Sequence, residues 1–168
     1  MINDIRSLST LELFSLFVTV LEELRRREVT RSANNPVADY AEFLCEKALA
    51  LRRAPKSTKG YDGIDGAGRK YEVKARRITT RNRSRQLSAL RNLNEGHFDF
   101  LVGVLFAEDF SLLRACLVPH AQVLNHSAFR KHTNAWIFHL RDSVWSLPGV
   151  VDITSQLLEV AGGADIGS

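Results

Sequence analysis

Apolar residues recur at helical spacing near the start of the chain. Leu11, Phe14, Val18 and Leu21 repeat every three or four positions, with Leu13, Phe17, Val20 and Leu24 beside them. They form a broad apolar helical face. Ser9, with Glu12 three residues later, has the form of a capping box, so the pattern predicts a helix over residues 10–27. A face that wide has to pack on the domain or on a second subunit. A second helix is predicted over "NNPVADYAEFLCEKALAL". Asn35 suits the cap and Pro36 the first helical position. Val37, Ala41, Leu44, Ala48 and Leu51 make its buried stripe, and Asp39, Glu42 and Glu46 share a neighbouring face.

The period then changes. "YDGID" and "RKYEVKARRI" flank "GAG", a strong hairpin signal. "RNRSRQLSALRNL" has Leu87, Leu90 and Leu93 at helical spacing and predicts a basic helix. The nearly continuous apolar run "HFDFLVGVLF" predicts a buried strand, "AED" a turn and "SLLRACLV" another strand. Pro119 opens a short helix over "PHAQVLNH", "AWIFHL" reads as a late strand, and "DITSQLLEVA" as a terminal helix. No repeat or linker divides the chain, so residues 1–160 are expected to form one domain, with a flexible tail over 161–168. Helices before and after a central sheet make a three-layer α/β domain.

Composition adds little to this picture. At 168 residues, 45% hydrophobic and 25% charged, the chain is an ordinary globular one. Cys45 and Cys116 lie in apolar runs, which predicts small buried hydrophobes and a reduced, cytoplasmic setting. "MINDIRSLST" lacks the apolar core of a signal peptide, and no stretch approaches the length of a membrane span. Charge changes the picture more. The net value of +4 conceals a separation: residues 52–91 hold 13 Lys/Arg and 3 Asp/Glu, a local charge of +10, against −6 elsewhere. That suggests an anionic partner for the middle third, with an Arg-rich solvated surface as the plain alternative.

The three acids in this basic region are Asp62, Asp65 and Glu72. Residues two apart in a strand point the same way, so Glu72 and Lys74 project from one face of "YEVKA" and Val73 from the other. A carboxylate there can hold Mg²⁺; a lysine beside it can orient or deprotonate water, or stabilise charge on a phosphate. One carboxylate binds Mg²⁺ poorly, so a second is needed from the preceding strand. With the two-residue loop Ala67-Gly68, Asp65 shares the face of Glu72; a loop one residue different shifts the parity to Asp62. "GAG" permits a bulge, so the register leaves both open. The plain alternative keeps Glu72 and Lys74 as exposed cross-strand charges on an edge hairpin.

Asp62 followed by Glu72-Val73-Lys74 resembles the D-x(n)-(D/E)-x-K signature of the restriction-endonuclease-like, or PD-(D/E)xK, nucleases. The likeness covers roughly residues 35–106: an acid-bearing helix, the hairpin, a basic helix and a buried strand. "GYD" matches the family's habit of placing an apolar or aromatic residue before the aspartate, which favours Asp62 over Asp65. The resemblance implies a three-layer fold with a mixed central sheet flanked by helices, the helix over 10–27 being an N-terminal addition. It also implies Mg²⁺- or Mn²⁺-dependent hydrolysis of DNA phosphodiester bonds. Asp62, Glu72 and Lys74 would be the catalytic set. Asp62 and Glu72, with the Val73 carbonyl and Glu42 (or Glu46), would hold the metal. The chain departs from the family pattern in two places: no short strand is evident in "RRAPKST", and the elements from Trp136 on lie outside the common core.

Beyond the motif, Arg76, Arg77, Arg81, Arg83 and Arg85, with Gln86, are the side-chain types that contact phosphates. The histidines lack zinc spacing, and no P-loop, dinucleotide fingerprint or nucleophile elbow is present. Two other functions compete: a non-catalytic nucleic-acid-binding module on the same fold, and a dimeric interaction protein with residues 10–27 as its seam. A homodimer through that helix is compatible with the nuclease as well.

Overall fold

A computed structural model describes residues 4–32, 35–55 and 57–163. Helix α1 (Thr10–Arg26) starts at the predicted capping box: Ser9 N–H donates to Glu12 Oε2 at 2.7 Å, and Glu12 N–H to Ser9 Oγ at 3.3 Å. No residue of α1 is buried. Helix α2 (Pro36–Ala48) is capped by Asn35, whose side chain accepts from Val37 N–H at 3.2 Å. Its stripe of Val37, Ala41, Leu44 and Cys45 is buried.

Strand β1 is Arg52–Arg53, β2 Gly63–Ile64, β3 Lys70–Arg77, β4 Phe100–Phe106, β5 Leu112–Pro119 and β8 Val151–Asp152. They form one six-stranded sheet in the order β1-β2-β3-β4-β5-β8. Only β3 and β4 run parallel, so the sheet is mixed. Helix α3 (His120–His126) follows β5, β6 (Ala128–Arg130) and β7 (Ala135–Ile137) pair as a separate small sheet, and α4 is Thr154–Gly163.

Alternation along the strands builds two cores. Tyr71 and Val73 of β3, with Val102, Val104 and Phe106 of β4, pack toward α2 and toward Leu157 of α4. Leu101 and Leu105 face the other way, onto Leu87, Leu90, Phe138, Leu140 and Val123 of α3. Both faces of the sheet are covered, an arrangement compatible with a three-layer α/β fold. Cys45 and Cys116 are fully buried, as expected. Among the described residues no helix is long and apolar enough to cross a membrane.

Several expectations need correction. The predicted basic helix over 81–93 does not form; the segment is extended, with only a short 3-10 turn at Leu93–Glu95. Its backbone groups go elsewhere: Leu87 N–H donates to Phe138 O at 3.0 Å and Leu90 N–H to Trp136 O at 2.9 Å. Asn82 N–H donates to Thr79 Oγ1, Ser84 N–H to Asn82 Oδ1 and Gln86 N–H to Ser84 Oγ. Short polar side chains thus take the donors a helix would need. The leucines at a strict spacing of three also drift around an α-helix, whose period is 3.6. Three strands left no legible pattern: β1, inside "RRAPKST", β6 and β8. The strand read in "AWIFHL" exists as β7 but pairs with β6, outside the main sheet. Helix α4 runs on to Gly163, past the expected start of the tail; residues 164–168 lie outside the described residues.

Candidate metal and phosphate site

The hairpin register places the two aspartates differently. Asp65 N–H donates to Arg69 O at 3.1 Å, closing a three-residue loop, Gly66 to Gly68, in which Gly68 takes φ +82°. Only glycine adopts that conformation readily. The ladder then pairs Ile64 with Lys70 and Gly63 with Tyr71, so Asp62 falls opposite Glu72. Asp65 instead builds the turn. Its carboxylate accepts from Ala67 N–H, Arg69 N–H, Arg69 Nε and Tyr71 Oη, all within 3.0 Å. Partial burial raises its pKa, but these donors outweigh that and hold it at about 2.

Asp62 sits where the β2–β3 ladder gives way. Its N–H donates to Tyr71 O at 2.7 Å and its carbonyl accepts from Ala54 N–H at 2.8 Å. Its side chain, rather than its backbone, takes the next ladder donor: Val73 N–H reaches Asp62 Oδ2 at 2.7 Å. Burial and the charge of Glu72 push Asp62 up to about 6, against the pull of the Val73 N–H and Lys74.

Glu72 and Lys74 share a face of β3, as the alternation requires. Lys74 Nζ lies 2.6 Å from Glu72 Oε1, with side-chain exposures of only 21% and 13%. Burial works to lower the lysine's pKa, but Glu72 beside it, with Asp62 and Glu42, raises it, so the amine stays protonated. Gly103 of β4 is the register partner of Lys74. A side chain there would meet the Leu140 methyls at 2.8 Å, so the glycine lets Leu140 close down over this face.

Glu42 reaches the same end of the sheet from α2. Burial, Asp62 and Asp39 raise it to about 7, with Arg53 and Arg31 opposing. Its helical neighbours are otherwise engaged. Glu46 lies 2.7 Å from Arg53 Nε, and Asp39 Oδ2 accepts from Arg31 N–H, Ser32 N–H and Ser32 Oγ at 2.8–3.0 Å. Between Glu42 and Asp62 opens a cleft of about 290 Å³, walled also by Arg31, Ser32, Thr58 and Tyr61. Sequence patterning missed these four, because loops position them and loops carry no period.

Among the described residues no group of three His, Cys, Asp or Glu is close enough to hold a metal ion. Glu72 is turned onto Lys74, and Glu42 stands on the α2 side of Asp62. The donor chemistry nevertheless suits a hard cation: every candidate side-chain ligand is a carboxylate oxygen. Raised Asp62 and Glu42 also carry their charge at a cost that a cation would remove.

The basic residues divide into two groups. Arg76 continues the face of Glu72 and Lys74, its Nε donating to Ser84 O at 3.2 Å. Arg81, Arg83 and Gln86 are exposed on the extended segment. Arg77 lies over the Phe110 ring, 4.6 Å from its centroid, and Arg85 pairs with Asp142 at 2.7 Å. The last two thus already have partners within the protein. No family model matches the sequence, and no curated protein matches it either.

Proposed function

We propose that the protein is a Mg²⁺-dependent endonuclease acting on DNA phosphodiester bonds, on a restriction-endonuclease-like fold. One observation carries the reading. A single hairpin sets Asp62 opposite Glu72, with Lys74 beside Glu72 on the same face. Asp62 and Glu72 would hold the ion, with the Val73 carbonyl and Glu42 as further donors. Bound there, Mg²⁺ would stabilise charge developing on the phosphate and lower the pKa of an attacking water. Lys74 would orient or activate the attacking water, or neutralise a phosphate oxygen. Arg76 on the same face, and Arg81 and Arg83 beyond it, hold flanking phosphates.

The test is plasmid cleavage in Mg²⁺ or Mn²⁺ by the native chain beside Asp62→Asn, Glu72→Ala and Lys74→Ala. The expected result is nicking or linearisation by the native chain and at least a 100-fold loss in each variant, the scale on which groups that stabilise developing charge act. Equal cleavage by all four removes the site. The closed Glu72–Lys74 pair favours a second reading, a nucleic-acid-binding module without turnover. Salt-sensitive duplex binding that is indifferent to Mg²⁺, with no cleavage, selects it.

A further inference from the structure

Leu11, Leu13, Phe14, Leu16, Phe17, Val18 and Val20 of α1 stand between 37% and 75% exposed. The C-terminal half of the helix is one wall of an apolar groove of about 860 Å³, through Val20, Leu21 and Leu24. Phe43 of α2, Phe110 of the β4–β5 turn and Ala161 of α4 face it across the groove. Leu11, Phe14 and Val18, nearer the helix start, take no part in that wall. One chain thus carries an open groove and, separately, an uncovered apolar segment.

We propose that a second copy of this chain occupies the groove, the first half of each α1 lying in the groove of the other about a two-fold axis. Each copy then supplies what the other lacks, and the contact closes at two. The area suits it: seven such side chains expose roughly 700 Å² per chain, close to the ~800 Å² per partner of a stable interface. The chemistry argues against the main rival, a lipid surface. Residues 10–21 contain one charged residue, Glu12, and no Lys or Arg. A membrane-surface helix carries basic residues on its polar face. Arg25 and Arg26 sit only in its last turn, and among the described residues no helix is long and apolar enough to cross a membrane, so a helix apolar on so much of its circumference is one that protein surrounds.

This inference is independent of the nuclease reading, and its test involves no nucleic acid or metal. Sedimentation equilibrium of the full chain should give twice the chain mass of 18.9 kDa. Phe14→Glu, on the inserting segment, and Val20→Glu, on the groove wall, should each halve it while far-UV circular dichroism is unchanged. Both positions are solvent-exposed in one copy, so neither substitution threatens the fold of a monomer. Amide exchange in α1 of the native chain should also slow as protein concentration rises. A native chain that is monomeric at about 100 μM, a concentration that would reveal even weak pairing, overturns the proposal. So does a dimer that survives either substitution, or a monomer that binds phosphatidylcholine–phosphatidylserine vesicles.

Discussion

Asp62 connects folding to the proposed chemistry at the scale of one residue. Its carboxylate completes the backbone ladder through Val73 N–H and also faces Glu72. An acid whose folded pKa lies above its ordinary value binds its proton more tightly folded than unfolded. Its own contribution to stability is therefore fully present at low pH and is lost as pH rises from near 4 through about 6. Glu42 acts in the same direction up to about 7. Asp62→Asn, which keeps an acceptor for Val73, should therefore stabilise the chain on the order of 1–2 kcal/mol at pH 8 and make little difference at pH 4. Urea melts at the two values would check this. A gain of equal size at both would mean that the charge is not the cause. Gly103 makes a second residue-scale case. Gly103→Val would drive a side chain into Leu140 and should cost about 1–3 kcal/mol, read as a lower urea midpoint.

At the scale of elements, the extended segment from Thr79 to Asn92 matters most. As an exposed strip across the sheet it presents Arg81 and Arg83 outward while Leu87 and Leu90 anchor it below. Arg81→Ala and Arg83→Ala should each lower the slope of log duplex affinity against log salt by about 0.9, one phosphate apiece. Arg85→Ala should leave the slope unchanged, because its charge is spent on Asp142, and destabilise by less than ~1 kcal/mol. Fluorescence titration at several salt concentrations separates the two classes. The same element marks where sequence reasoning stopped working. α1, α2, β4 and β5 were legible because long apolar periods with caps leave few alternatives. The hairpin was legible, and with it Glu72 beside Lys74. The strip was not, since serine, threonine and asparagine side chains diverted its backbone donors. β1 and β8 are two residues each, too short for a period to register. Arg31, Ser32 and Tyr61 reach the cleft through tertiary placement alone.

Across the whole molecule, strength and chemistry are unevenly shared. β3, β4 and β5 form long ladders of seven residue pairs each and carry both cores, whereas β1 and β2 are two-residue strands at one edge. Hydrogen exchange should therefore show β4 and β5 opening last and the β1–β2 edge, with Asp62, opening first. Mg²⁺ should slow the edge selectively under the nuclease reading. Uniform exchange across the sheet would contradict this division. Finally, Asp62 and Glu72 meet across a hairpin, not along one strand. The number of residues between them is thus free to vary, provided the cross-strand pairing is kept. Gly66 and Gly68 at the tip face open space. A short Gly/Ser insertion after Ala67 that keeps the Asp65–Arg69 pairing should leave the cleft intact, which makes the tip a place to graft a peptide tag or probe within reach of the site.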